Sequence, residues 1–147
     1  MPSRTHTREE SGLVLDREGR WFHDGEPVQH PKIAEAFHRG IERGPDGRYR
    51  LRIGDDWCFV TVEDAPLQVA AALVEDARIA LRLSNGACEL LRPETLALKD
   101  GVLYCVAESD MPARFSRSAQ FAVGSLIEER PGGFALVLAG RAYPVAG

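Results

Sequence analysis

The sequence predicts an α+β protein of two related halves, each with one helix among antiparallel strands. Three observations carry this. Apolar residues alternate at period two in short runs broken by Gly, Asp and Asn turns, the pattern of half-buried strands. Two segments that follow a proline repeat apolar residues at helical spacing. The chain also matches itself at an offset of 82 to 86 residues: Leu15, Gly19 and Trp21-Phe22 align with Leu98, Gly101 and Leu103-Tyr104, Phe37 and Gly40 with Phe121 and Gly124, and Pro45 with Pro131. Two copies are too few for a solenoid, so they are expected to share a core.

Element by element, residues 1–11 lack a hydrophobic pattern and are expected to be a disordered tail, followed by subdomains over 12–64 and 65–147. Leu13 and Leu15 share a face, a turn follows at Asp16-Arg17-Glu18-Gly19, and Trp21 to His23 returns as a hairpin strand. Pro31 stands at a first helical position, and Ile33, Phe37 and Ile41 recur at i, i+4 and i+8, so the helix is expected to run to Gly44-Pro45. Tyr49, Leu51 and Ile53 alternate with Arg48, Arg50 and Arg52, and Trp57 to Val62 returns as the next strand.

Leu67 to Val74 is Ala-rich and by composition suits a helix. The alternation of Ile79, Leu81 and Leu83 just beyond it favours an antiparallel pair turning at Glu75-Asp76, and strand is the expectation. Asn85-Gly86 turns into a strand over Cys88 to Leu91, and another covers Val102 to Val106. Asp110-Met111-Pro112 is expected to open a second helix with Phe115, Ala119, Ala122, Val123 and Leu126 on its apolar face, ending at Pro131-Gly132-Gly133. Strands through Phe134-Leu136-Leu138 and Tyr143 to Val145 complete the copy.

Composition narrows the function classes. A chain of 147 residues with 44% hydrophobic content buries roughly 68–70% of its unfolded surface, so neither metal nor disulfides are needed for a core. The formal charge of −4 argues against a basic coat for nucleic acid or anionic lipid. That charge is uneven, since residues 55 to 110 hold 11 acids and four bases. No apolar run approaches the ~20 residues of a membrane span, and the polar N-terminus carries no secretion signal, so a cytoplasmic location is expected. Cys58, Cys88 and Cys105 are odd in number and widely spaced, which fits neither a disulfide framework nor a zinc site; all three are expected to be buried small hydrophobes.

The run Asp16-Arg17-Glu18-Gly19-Arg20-Trp21-Phe22-His23-Asp24-Gly25-Glu26-Pro27, together with Val62-Glu63-Asp64-Ala65-Pro66, resembles the bacterial domain-of-unknown-function family DUF1285. Weaker echoes follow at Leu81 to Gly86, in the segment after Pro112 and at Ala142-Tyr143-Pro144. The resemblance implies a duplicated core, a C-terminal half similar to a pleckstrin-homology fold, and no known activity. It also implies a groove between the halves for a nucleotide-like ligand and a role in signal transduction.

The candidate site residues are weighed one by one. His23-Asp24 sits at a strand end beside a glycine turn, where turn chemistry is preferred to ligand contact and no further ligands suggest a metal. His38, at the margin of the first helix's apolar face, is read as a partly buried or surface residue. Arg48, Arg50 and Arg52 share one strand face at period two, which must be solvated, paired with carboxylates or offered to an anion. Arg114 and Arg117 fall in the first turns of the expected second helix, where the macrodipole disfavours a cation. Either Glu108 or Asp110 compensates them, or they hold an anion together with the free helix N–H groups. Trp21 is expected in the core, with an exposed stacking wall as the alternative. Asp64, beside Glu63 at the boundary, suits turn or cap hydrogen bonding.

No nucleophile elbow, zincin, Walker or dinucleotide motif is present. The expectation is a non-enzymatic binding module without cofactor, taking a small anionic or nucleotide-like ligand in the groove, with Trp21, His23, Asp64, Arg114 and Arg117 as contacts. A protein-interaction module is the alternative, and a hydrolase using His23 with Asp24 or Glu63 the third.

Overall fold

Short alternating runs become short strands, and turn chemistry sets where each one stops. The computed structural model describes residues 8–147, which divide into one unit up to Pro66 and one from Leu67. In the first unit β1 (Leu13–Leu15) pairs antiparallel with β2 (Trp21–His23), and β2 with β3 (Glu26–Pro27). Asp16 Oδ1 accepts the N–H groups of Glu18 and Arg20 at 3.0 and 2.8 Å and so closes the first turn. Asp24 and Gly25, at φ of 48° and 82°, form the second, a conformation that Asp-Gly adopts at little cost.

Helix α1 (Pro31–Gly40) begins at its proline as expected but ends four residues early, and Ile41 opens β4 (Ile41–Arg43) instead of continuing the helical stripe. The reason is close approach. A Cβ on Gly40 would lie 2.3 Å from the carbonyl oxygen of Arg52, so only glycine lets β5 (Tyr49–Ile53) come so near, and Ile41 gains more by pairing with Leu51 in the core. β6 (Asp56–Phe59) pairs antiparallel with β5, and β7 (Thr61–Val62) crosses to lie parallel to β1. The expected strand from Trp57 to Val62 is therefore split at Val60 between two sheets. Residues 8–11 of the expected tail are tied down: Phe59 N–H donates to Arg8 O, and Ser11 Oγ donates to Phe59 O at 2.6 Å. Residues 1–7 lie outside the described residues.

The first unit's core is small. Leu15, Ile41 and Leu51 are buried there with Trp21, which is 2% exposed and pairs across the hairpin with Leu15. Its indole meets Phe37 edge-on at 5.4 Å, and its Nε1–H donates to His38 Nδ1 at 3.2 Å. His38 is thus a half-buried acceptor, and burial lowers its pKa from the ordinary 6.5.

The second unit is built on a six-stranded sheet. β8 (Leu67–Glu75), β9 (Arg78–Leu83) and β10 (Cys88–Leu90) form a meander. A 3-10 turn at Pro93–Thr95 leads to β11 (Ala97–Lys99), β12 (Val102–Val106) and β13 (Pro112–Phe115), giving the order β10-β9-β8-β13-β12-β11. All neighbours are antiparallel except β8 and β13. Burial alternates as the sequence implies, with Leu67, Val69, Ile79, Leu81 and Leu83 inside.

The expected second helix is corrected here. Its first third is the strand β13, because Ala113 and Phe115 alternate into the core and both neighbouring strands satisfy their backbone. Helix α2 (Arg117–Gly124) starts only after Ser116, whose Oγ caps it by accepting Ala119 N–H at 3.2 Å. Ala119 and Val123 bury against β8, and the expected C-terminal stretch of the helix is β14 (Ile127–Arg130), which joins β15 (Gly133–Leu138) and β16 (Arg141–Val145). The order three strands, helix, three-stranded antiparallel sheet occurs in both units, as β1–β3, α1 and β4–β6 in the first and as β11–β13, α2 and β14–β16 in the second, where β8–β10 precede it. Of the cysteines only Cys105 is fully buried, its thiol pushed up to about 12 mainly by burial; Cys58 is half-buried, and Cys88, on the outer face of edge strand β10, is exposed contrary to expectation.

Two outcomes are expected. Because folding makes His38 harder to protonate, its contribution is full above the ordinary value and drains away as pH falls through the folded pKa. The unfolding midpoint of the native chain should fall more steeply between about pH 7 and pH 5 than that of His38→Gln, whose amide oxygen accepts the indole bond throughout. Equal slopes overturn this. Ser116→Ala should cost about 1 kcal/mol by denaturant melts, and Ser116→Gly only a few tenths.

Candidate functional site

Arg114 and Arg117 arrive at one place from different elements. Arg114 sits in the middle of β13, opposite Tyr104 on one side and Gln68 on the other, and Arg117 is the first residue of α2. The strand-to-helix turn at Ser116 brings both to a cleft of about 430 Å³, with Gln120, Phe121 and the Gly101 turn completing it. Gln120 is structural: its Nε2 donates to Gly101 O at 2.8 Å, and its Oε1 accepts Leu103 N–H at 3.0 Å. Phe121, 84% exposed, lines the same cleft as the two arginines. Ser116 Oγ serves Ala119 N–H, and the N–H groups of Arg117 and Ser118 point out of the helix start with no intrahelical acceptor. This is chemistry suited to an anion, with two charge-assisted donors and a positive helix end.

The other expected contacts lie elsewhere. Trp21 is walled into the first unit's core and presents no ring face to a ligand. His23, exposed at the end of β2, lines a different cleft of about 610 Å³, where its Nε2 is 3.7 Å from Asp24 Oδ2. Asp64 is exposed and lines neither cleft. Among the described residues, no group of three or more His, Cys, Asp or Glu side chains could hold a metal.

The arginine row is satisfied internally. Glu42 on β4 faces Arg50 across the strand, and its Oε1 accepts Arg50 Nε at 2.9 Å and Arg52 Nε at 3.1 Å. Arg48 stands just before β5 and makes a two-point contact with Glu9 at 3.3 and 3.1 Å, which raises its pKa. It lies 3.5 Å over the Phe59 ring, while Arg8 and Arg50 flank Trp57 at 4.4 and 4.7 Å. Carboxylates and aromatic faces thus take the place an anion would have had.

The sequence reading missed Phe121 and the pairing role of Glu42. Phe121 was discoverable, since a helix that buries Ala119 and Val123 turns residue 121 outward. Glu42 is hidden in the sequence because the helical period runs through Ile41, whereas the helix ends at Gly40 and Glu42 lies on β4.

The comparisons with known proteins follow from this architecture. A crystal structure of a DUF1285 family protein from Silicibacter pomeroyi DSS-3 superposes with a TM-score of 0.73 at 19% identity, covering 92% of this chain and 79% of that one. The chain has the DUF1285 fold. A second DUF1285 family protein, from Shewanella baltica OS155, superposes with a TM-score of 0.60 at 20% identity, over 78% of this chain and 91% of its own. No family model and no curated protein matches the chain. The DUF1285 fold thus accompanies the motif pair at residues 16–27 and 62–66, and no helix in it is long and apolar enough to cross a membrane among the described residues.

If Glu9 and Glu42 neutralise the row, replacing Arg48, Arg50 and Arg52 together by Gln should leave phosphate or nucleotide affinity and its salt slope unchanged by titration calorimetry. A slope reduced by about one or more would return the row to candidacy.

Proposed function

We propose that this protein is a DUF1285-type binding module, not an enzyme, that holds an anionic, nucleotide-like ligand through Arg114 and Arg117. The observation carrying the proposal is that the two arginines line one cleft although one is on a strand and the other starts a helix. A volume of about 430 Å³ lies in the range of small-molecule sites. The ligand is placed in the second unit's cleft, with no part for Trp21 or Asp64. The pleckstrin-like character of the C-terminal half and a role in signal transduction rest on the family resemblance and belong to the same proposal.

The second reading is a protein-interaction module, favoured by one observation. Leu73, Ala80 and Leu90 lie in one row across β8, β9 and β10 on the face opposite Ile79 and Leu81, and Leu73 is 62% exposed.

A thermal-shift panel of inorganic phosphate, nucleoside monophosphates and cyclic dinucleotides decides between them. Under the first reading at least one anion stabilises the chain, by about 2.7 kcal/mol at a hundred times its Kd. Arg117→Gln, at an exposed position, should weaken that ligand at least about tenfold, as expected for a lost charge-assisted contact. Absence of any shift at millimolar ligand overturns the first reading, and a stoichiometric partner lost on Leu73→Lys then favours the second.

A further inference from the structure

The six-stranded sheet has an open edge in its middle. β13 pairs with β8 only over Leu67–Val69, and its last hold is Ser116, whose N–H donates to Val69 O at 3.0 Å and whose Oγ donates to Ala70 O at 3.2 Å. Beyond that point β8 runs on to Glu75 beside β9, and among the described residues no strand pairs with its other side. Leu91 N–H donates to Ile79 O and Leu83 N–H to Ala87 O, so Ile79, Leu81 and Leu83 turn their backbone groups toward β10. Arg78, Ala80 and Arg82 therefore face β8, and Ala72 and Val74, which stand opposite Leu81 and Ile79, turn their N–H and C=O groups outward. Leu73 and Val74 point to opposite faces of the strand and are 62% and 38% exposed, so this end is open on both faces as well as at its side. No charge or proline interrupts Leu67 to Val74, so the usual protections of an edge are missing.

The open stretch is complementary to itself. Set antiparallel to a second copy about a two-fold axis at Leu73, Ala72 of each chain meets Val74 of the other, and all of these outward groups bond in pairs. Small faces large, Leu73 faces Leu73 in the close position, and Glu75 faces Ala71, so no like charges are opposed. The same register brings Asp76 level with Ala70 of the second copy, and so beside Ser116 and Arg117, where an acid meets a base at a positive helix start. Edge strand β10 offers no such match, because its outward residues Cys88 and Leu90 would centre the pairing on Glu89 against Glu89.

We infer that a second copy of the chain covers this edge, β8 pairing antiparallel with β8 in a two-fold dimer. The inference goes beyond both readings above, since it needs no ligand in the arginine cleft and uses the side of β8 instead of the face shared by Leu73, Ala80 and Leu90. The contact is short, so the dimer is weak and depends on concentration.

Sedimentation equilibrium of the full chain up to about 1 mM should show a monomer–dimer equilibrium. Leu73→Lys, at an exposed position, sets like charges against each other on the axis, and Val74→Pro removes an outward N–H while sparing the ladder to β9. Each should weaken association at least about tenfold, with the melting temperature of Leu73→Lys close to that of the native chain. In a Cys88→Ser background under oxidised glutathione, Leu73→Cys should yield a disulfide-linked dimer, whereas Glu75→Cys, whose two copies lie at opposite ends of the pairing, should not. A chain that stays monomeric throughout, a dimer that survives Leu73→Lys, or equal linkage at the two positions would each overturn the inference.

Discussion

The first unit depends on satisfying one indole. Its core holds a single buried aromatic of any size, and burying Trp21 removes its N–H from water, a loss of about 1–3 kcal/mol if no acceptor replaces it. His38 supplies the acceptor, and so the helix that carries His38 is held in one rotation relative to Trp21. That rotation turns Phe37 onto the indole edge and leaves Ile33 at the rim. Gly40 then lets the chain leave the helix against β5, and Ile41 enters the core as a strand residue. One hydrogen bond thus couples helix phase, helix length and the start of the next sheet. The second unit needs no such device, because its core is a broad aliphatic layer over six strands.

Two charged surfaces that look alike in sequence have different fates. The period-two arginines on β5 and the pair around Ser116 both read as anion candidates. On β5 the neighbouring strand offers Glu42, the N-terminal segment offers Glu9, and the following strand offers aromatic faces, so the charges are spent within the unit. Around Ser116 the neighbours are a glycine turn, a structural glutamine and an outward phenylalanine, which leave a cleft. Composition cannot separate these cases, because the carboxylates that decide them, Glu42 and Glu9, lie eight and 39 positions from Arg50 and Arg48.

Legibility followed the range of the interactions. The α+β class, the strands at Leu13–Leu15, Trp21–His23 and Tyr49–Ile53, the Pro31 start of α1 and the strand at Leu67–Glu75 were written in local alternation and turn residues. The failures share one cause. Ile41 continues a helical period but pairs with Leu51, and Phe115 continues another but lies between β8 and β12; in both, a distant strand offers better burial than the next helical turn. Strand neighbours suggest an inward Cys88, yet β10 is an edge strand and its outer face meets solvent. For the site, the grouping of Arg114 and Arg117 is legible in their spacing, but the division between strand β13 and helix α2 that sets them on different elements is not.

The two parallel strand pairs bear on how the chain acquires its structure. Val14 meets Thr61 and Leu67 meets Ala113, separations of 47 and 46 residues, while nearly every other pairing is a local meander. Loops of that size lose on the order of 3 kcal/mol of chain entropy on closure, so each unit should assemble its hairpins first and lock late. During synthesis neither unit can complete its sheet until nearly fifty residues beyond its first strand have emerged. The parallel strand is thus a seal on each half: the hairpins β1–β2, β2–β3, β4–β5 and β5–β6 in the first unit, and β8–β9, β9–β10 and β11–β12 in the second, are all complete before Thr61 and Ala113 arrive.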